Sequence, residues 1–177
     1  MFLIKYNIPN EVIDEILELD ESSFDNEYGE IYGQFELNFN EYKQGFVHEE
    51  IPFGNELLIS WFKLINKVVL TLNTNDYVAF TIMETDDYWI ELICKEDLIT
   101  VKKVKDNHHK RTLYDFIITK PFEEFSDEWE TTDIKRLEFI NEVKLITKQF
   151  IKDVATINKN ILKSQSLNEL ILINQKL

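Results

Sequence analysis

The chain has 177 residues, a formal net charge of −14, 44% hydrophobic residues and 13% aromatic residues. That length fits one domain able to bury a proper core, and the composition is that of a globular chain, not a disordered one. A surface this acidic speaks against nucleic acid or an anionic membrane as partner, because binding either depends on Lys and Arg to neutralise phosphate; it suits a basic protein.

The charge is unevenly placed. Residues 1–59 carry fourteen Asp and Glu against Lys5 and Lys43, whereas residues 95–111 carry Lys95, Lys102, Lys103, Lys105, Lys110 and Arg111 against three acids. The opening MFLIKYNIPNEV has no basic region followed by a long apolar stretch, so no secretory leader is expected there. No apolar run approaches the roughly 18 residues of a transmembrane helix. The single cysteine, Cys94, allows no internal disulfide, and a cytoplasmic location is expected.

In chain order, MFLIKY reads as an edge strand or an N-terminal arm. Val12, Ile13, Ile16 and Leu19 stand at helical spacing after Pro9 and Asn10, which suit a helix start. ELDESSFDNEYGE follows, with Ser22, Ser23, Asn26 and Gly29 predicting an acidic loop. Ile31, Gly33, Phe35, Leu37 and Phe39 alternate as on a half-buried strand. Asn55 is the expected N-cap of a helix bearing Leu58, Trp61, Ile65, Val68 and Leu72. DYVAFTIME, YWIELICK, LITVKKVK and TLYDFIIT read as four strands. Their short connections TDD and ED, and the longer DNHHKR, predict antiparallel hairpins.

Beyond Pro121, FEEFSDEWETT reads as a second acidic connection. A long amphipathic helix is predicted from Asp133, with an apolar stripe from Ile134 to Ile161 spanning 28 residues, roughly 42 Å at 1.5 Å per residue. Ser166 and Glu169 form a capping-box pattern opening a last short helix. The sum is a single α+β domain over residues 1–177. It holds an antiparallel β-meander of about five strands, helices packed on one face, and a long C-terminal amphipathic helix.

Few groups are arranged for catalysis. All four glycines lie at or before Gly54, so there is no phosphate-binding loop or dinucleotide fingerprint, and no serine sits in a G-x-S-x-G context. Cys94 shares a strand face with Ile90 and Leu92, the setting of a buried structural thiol. His48 lacks the second histidine of a zincin helix, and Pro52 ends any helix there. His108 and His109 are followed by Lys110 and Arg111, whose charges oppose a cation. The acidic stretch fits no calcium loop, since counting from Asp20 puts Phe24 at a ligand position and Asp25 where glycine belongs. No catalytic residue, cofactor or metal ligand is therefore expected.

Aromatics interleave with acids at four places, a mixture that suits protein docking, with rings for affinity and charge for selection. Two clusters are the expected partner-binding residues. The first is Glu18, Asp20, Glu21, Asp25, Glu27, Tyr28 and Glu30, with Phe24 as a further anchor. The second is Glu84, Asp86, Asp87 and Trp89, with Trp89 half exposed. Trp61 and Phe150 fall on helical stripes and are expected in the core, while Trp129 fits either setting.

The layout GNELLISWFKLINKVVLTL, then DYVAFTIMETDDYWIELICKEDLITVKK, resembles small acidic immunity proteins of bacterial polymorphic toxin systems. The resemblance covers roughly residues 31–119. It implies a non-enzymatic, stoichiometric inhibitor that binds a cognate toxin domain, and carries over no site residues. A regulatory or adaptor domain that self-associates through the C-terminal helix is the alternative. A small-molecule binder or carboxylate-dependent enzyme stands third. The expected state is a monomer or homodimer.

Overall fold

The computed structural model describes residues 1–48, 50–83, 85, 87–106 and 116–177. The fold is α+β, as expected, but its strands number ten among the described residues and form two antiparallel sheets instead of one meander. The first sheet holds β1 (Phe2–Asn7), β2 (Tyr32–Phe39) and β3 (Tyr42–Phe46) in that order, and β4 (Glu56–Leu57) pairs with the start of β2. MFLIKY is thus an edge strand. The second sheet holds β5 (Tyr77–Thr81), β6 (Tyr88–Lys95), β7 (Leu98–Asp106), β8 (Ile117–Ile118), β9 (Phe125–Asp127) and β10 (Thr132–Lys135). Its order is β10-β7-β6-β5-β8, and β9 also pairs with β7.

Two departures from the expected meander have clear causes. FEEFSDEWETT is not merely a connection: it supplies β9 and the first residue of β10, and the two strands run in turn along one edge of β7. Phe125, Ser126 and Asp127 are all exposed, so the stretch lacks the alternation of buried and exposed residues by which a strand is recognised. β8 pairs with β5, not with β7, so DNHHKR does not close a hairpin between neighbouring strands. Its residues from Asn107 to Arg111, including His108 and His109, lie outside the described residues.

The helices are α1 (Asn10–Leu17), α2 (Glu21–Ser23), α3 (Leu58–Leu72), α4 (Arg136–Ile157) and α5 (Gln165–Asn174). A π-helical turn, Phe24–Tyr28, follows α2, and a 3₁₀ turn, Asn160–Lys163, precedes α5. Helix α3 is the centre of the core, with ten of its fifteen residues buried. Trp61 stacks on Phe35 of β2 with centroids 5.1 Å apart, and Phe62 stacks on Phe150 of α4 at 4.5 Å. Each such side chain contributes roughly 1.5–3 kcal/mol by leaving water.

Asn55 does not cap α3. Residues 56–57 are drawn into β4 instead, and the helix begins at Leu58. Helix α4 is 22 residues long, about 33 Å, and stops at Ile157 before the expected end of the stripe. Its buried residues Phe139, Val143, Thr147, Phe150 and Val154 pack into the chain's own core, so the face proposed for self-association is occupied from within. The last helix is capped by Ser164, whose Oγ accepts from Leu167 N at 3.4 Å, and not by Ser166.

Strand β2 is buried on both faces, where one buried face was expected. Its second face carries Gln34, Glu36 and Asn38, and each is satisfied. Gln34 Nε2 donates to the carbonyls of Ile51 and Phe53 at 2.9 and 2.8 Å, and its Oε1 accepts from His48 N at 2.8 Å. One side chain thereby holds the 48–53 segment over the sheet. Asn38 Nδ2 donates to Glu36 Oε1 at 2.9 Å, and Lys5 pairs with Glu36 at 3.5 Å.

The sheets are joined at the β2–β3 turn. Asn40 takes a left-handed backbone (φ 55°), a conformation asparagine tolerates. Its Nδ2 donates to Thr132 Oγ1 at 2.7 Å and to the Asp133 carbonyl at 2.9 Å on β10. Tyr42 stacks on Trp129 at 5.2 Å, which places Trp129 in an intramolecular contact, and Lys103 Nζ of β7 donates to Gln44 Oε1 at 3.0 Å.

A buried polar tie links three helices. Asn66 Nδ2 donates to Thr147 Oγ1 at 2.7 Å, and Asn174 Nδ2 donates to Asn66 Oδ1 at 2.9 Å. Replacing Asn66 by leucine leaves buried Asn174 Nδ2 without its acceptor and takes the donor from Thr147 Oγ1, so Asn66→Leu should destabilise the fold by about 1–3 kcal/mol in urea unfolding. The double variant Asn66→Leu/Asn174→Leu should cost less than the sum of its singles; strict additivity would show that the tie is not coupled.

Candidate functional site

Residues 8–30 hold nine Asp and Glu and no Lys, Arg or His. The structure displays eight of these acids to solvent and buries the ninth. Helix α1 turns Ile16 inward and exposes Glu11, Asp14 and Glu15, and Glu18 at its C-cap is exposed too. Its end is held by Asn158 at the end of α4, whose Nδ2 donates to the carbonyls of Ile16 and Leu19 at 2.8 and 2.7 Å.

The stretch expected as a loop is helical. Asp20 starts α2 by accepting from Ser23 N at 2.8 Å, and that bond holds its carboxyl below the usual carboxylate range. Phe24 is fully buried and pins the π turn to the core, so it is no surface anchor. Gly29 closes the turn with φ 65°, its N–H donating to the Phe24 carbonyl at 2.7 Å. Both Asp25 oxygens accept from Gln165 N at 3.0 Å at the start of α5, where a carboxylate suits the helix dipole. The serines, asparagine and glycine that read as loop formers thus serve caps and a turn closure, and Phe24 supplies the burial that fixes them.

Glu18, Asp20, Glu21, Asp25, Glu27 and Tyr28 are all exposed, on a segment anchored by Asn158, Phe24 and the Gln165 amide. A hollow of about 470 Å³ lies among Asp20, Glu21, Ser22, Asp25 and Asn26. Glu30 is not exposed with them. It is 8% exposed and turns inward, accepting from Ile31 N at 2.9 Å, Ile59 N at 2.6 Å and Ser60 N at 2.9 Å. It is the cap that Asn55 was expected to be, placed there by the chain fold and not by sequence proximity. Burial pushes its carboxyl above the usual 4.5, while hydrogen bonds from Ser60, Ile31 and Ile59 act the other way.

The second expected cluster is not assembled as a surface among the described residues. Trp89 is 3% exposed, packed with Ala79, Val104 and Phe122 in a small core on the second sheet, where half exposure was expected. The 116–127 segment, by bringing Phe122 over that face, is what covers it. Asp87 is partly buried, and its carbonyl accepts from Asp106 N at 2.8 Å. Glu84 and Asp86 lie outside the described residues. Tyr88 carries Lys103 and Lys105 over its ring at 5.1 and 5.5 Å.

Other polar groups serve structure. Glu91, 3% exposed, accepts from Tyr77 Oη at 2.7 Å and pairs with Lys102 at 3.2 Å, and Lys102 also pairs with Asp127 at 3.1 Å. Burial raises the Cys94 thiol above its ordinary value, away from nucleophilic reactivity. Among the described residues no group of three or more His, Cys, Asp or Glu is placed to hold a metal ion, and no helix is long and apolar enough to cross a membrane. One feature carries no sequence signal: Tyr6 and Asp153, 147 residues apart, meet at a cleft beside α1.

Comparison of the chain with protein-family models, with curated proteins and with solved structures finds no match.

The raised Glu30 carboxyl gives a pH-dependent contribution to stability. A carboxyl raised on folding stabilises most below its unfolded value of 4.5 and loses that contribution as pH rises through its native value. Urea unfolding of the parent and Glu30→Gln from pH 4 upward should show the parent's advantage shrinking with pH. A constant or widening difference would show that the N–H donors outweigh burial.

Proposed function

We propose that this protein is a non-enzymatic binding module of the immunity type, which neutralises a cognate bacterial toxin by docking a basic surface of it on the acidic face of α1, α2 and the π turn. The observation that supports this reading is the anchoring of that face. Eight exposed carboxylates stand on backbone held by Asn158, Phe24 and the Gln165 amide, so little conformational entropy is lost when a partner binds. Their summed field draws a cationic partner from beyond contact distance and disfavours nucleic acid and anionic lipid. Tyr28, 37% exposed at the end of the π turn, adds an aromatic contact within the same face. A toxin whose own substrate is anionic has a basic cleft of the complementary sign, and a rigid acidic face occludes it without chemistry. The site of action is the cytoplasm of the producing cell.

Asp20 and Asp25 cap helices, whereas the Glu18, Glu21 and Glu27 side chains are exposed and make no hydrogen bond or ion pair among the described residues. The variant Glu18→Lys/Glu21→Lys/Glu27→Lys should keep its melting temperature. At low salt it should associate with the toxin domain encoded beside it at least about tenfold more slowly. A control with the same charge change, Glu41→Lys/Glu50→Lys/Glu130→Lys, should stay within about twofold of the parent. Parent-like association of the first variant would end the electrostatic docking reading.

A further inference from the structure

A cleft of about 460 Å³ opens between the end of β1, α1 and the last turns of α4, lined by Tyr6, Ile8, Ile13, Asp153, Thr156 and Ile157. Its volume is that of a small-ligand pocket. Three isoleucines form its apolar walls, and Asp153 is the charged group among its lining residues. The Asp153 carboxylate accepts from Tyr6 Oη at 2.5 Å and from Gln149 Nε2 at 2.7 Å. A carboxylate offers about four acceptor positions, so capacity for two further donors remains.

The arrangement is fixed. The Tyr6 ring stands edge-on to Phe62 and Phe150, with centroids 5.4 and 5.5 Å away. Burial first, then the hydrogen bond and charge of Asp153, hold the Tyr6 phenol far above its ordinary value, so it remains a donor. Among the described residues no lysine or arginine forms an ion pair with Asp153. Lys152, its exposed chain neighbour, makes none with it. An anion with open acceptor positions in an apolar cleft matches a group that is apolar along its stem and cationic at its tip.

We propose that this cleft receives one arginine side chain of the basic partner. The stem lies along Ile8, Ile13 and Ile157, and the guanidinium donates to Asp153. Arginine fits better than lysine because its planar fork presents two parallel N–H groups to a carboxylate. The proposal rests on the docking function above and adds specificity to it. Helix α1 shows Ile13 to the cleft and Glu11, Asp14 and Glu15 to solvent, so one helix both steers the partner and forms the wall of the pocket.

The cleft is tested without the partner by titrating isotopically labelled full chain with N-acetyl-arginine methylamide and, separately, the neutral N-acetyl-norleucine methylamide. Arginine should bind with a dissociation constant of order millimolar, shifting amide signals of Ile8, Ile13, Thr156 and Ile157. Norleucine should bind at least about fivefold more weakly, as should arginine to Asp153→Asn. Thr156→Lys, at an exposed position, sets a cation in the cleft mouth. It should abolish the shifts while leaving the melting temperature unchanged, which keeps the test valid if Asp153→Asn folds poorly. Equal response to both probes, shifts located elsewhere, or full binding by Thr156→Lys would overturn the proposal. Against the partner, Thr156→Lys should weaken affinity at least about tenfold by faster dissociation. A partner that depends on the acidic face but ignores Thr156→Lys removes the cleft and keeps the docking function. An arginine probe that binds while no partner needs the acidic face does the reverse.

Discussion

Helix α3 is enclosed on nearly all sides, and the rest of the molecule is arranged around that enclosure. Sheet residue Phe35 stacks on its Trp61, α4 stacks Phe150 on its Phe62, and α5 reaches it through the Asn174–Asn66 bond and the Lys63–Glu169 ion pair. Leu58, Ile59 and Leu72 at the ends of the helix are buried, so terminal N–H and C=O groups there need protein partners. Glu30 supplies acceptors for the first N–H groups, and Arg136 Nη2 donates to the Leu72 carbonyl at 2.7 Å at the other end. An anion at the N-terminus and a cation at the C-terminus also match the helix dipole. The acidic N-terminal segment is thereby tied to the core through its last carboxylate.

That tie changes what the acidic segment is. Nine acids without a counter-charge repel one another, and a chain so charged tends to expand. Here the repulsion is opposed by a small set of anchors: Ile16 and Phe24 below, Asn158 on the α1 carbonyls, and Asp25 on the α5 amide. The fold holds the acids on ordered backbone despite the electrostatic cost, and in the docking function proposed above a basic partner relieves that cost. The self-repulsion of the free face and the attraction for a cation are one field seen from two sides.

Much of the architecture is legible in the sequence because it depends on local periodicity. The stripes of α1, α3 and α4 and the runs of β2, β5, β6 and β7 are read from spacing alone, and Trp61 and Phe150 fall in the core as their stripes require. What escapes is set by long-range partners. Gln34 looks solvent-facing until it bonds to His48, Ile51 and Phe53, and Glu36 and Asn38 until they bond to each other and Glu36 pairs with Lys5. Phe122 covers Trp89, β9 and β10 find the edge of β7, and β8 joins β5 across the sheet. Of the candidate site, the density of acids from Glu18 to Glu27 is plain in the stretch itself, and all of them are exposed. The inward turn of Glu30 is not plain there, because its partners lie 29 and 30 residues away.

The central claim is that the acidic stretch is an ordered surface and not a solvated loop, and amide hydrogen exchange tests it directly. The amides of Ser23, Phe24, Gly29 and Gln165 are all donated within the face, to Asp20 Oδ1, the Asp20 carbonyl, the Phe24 carbonyl and the Asp25 carboxylate. They should exchange at least about a hundredfold more slowly than an unstructured chain, a local opening free energy of roughly 3 kcal/mol. Exchange of these four amides at unstructured rates, with α3 still protected, would contradict the account.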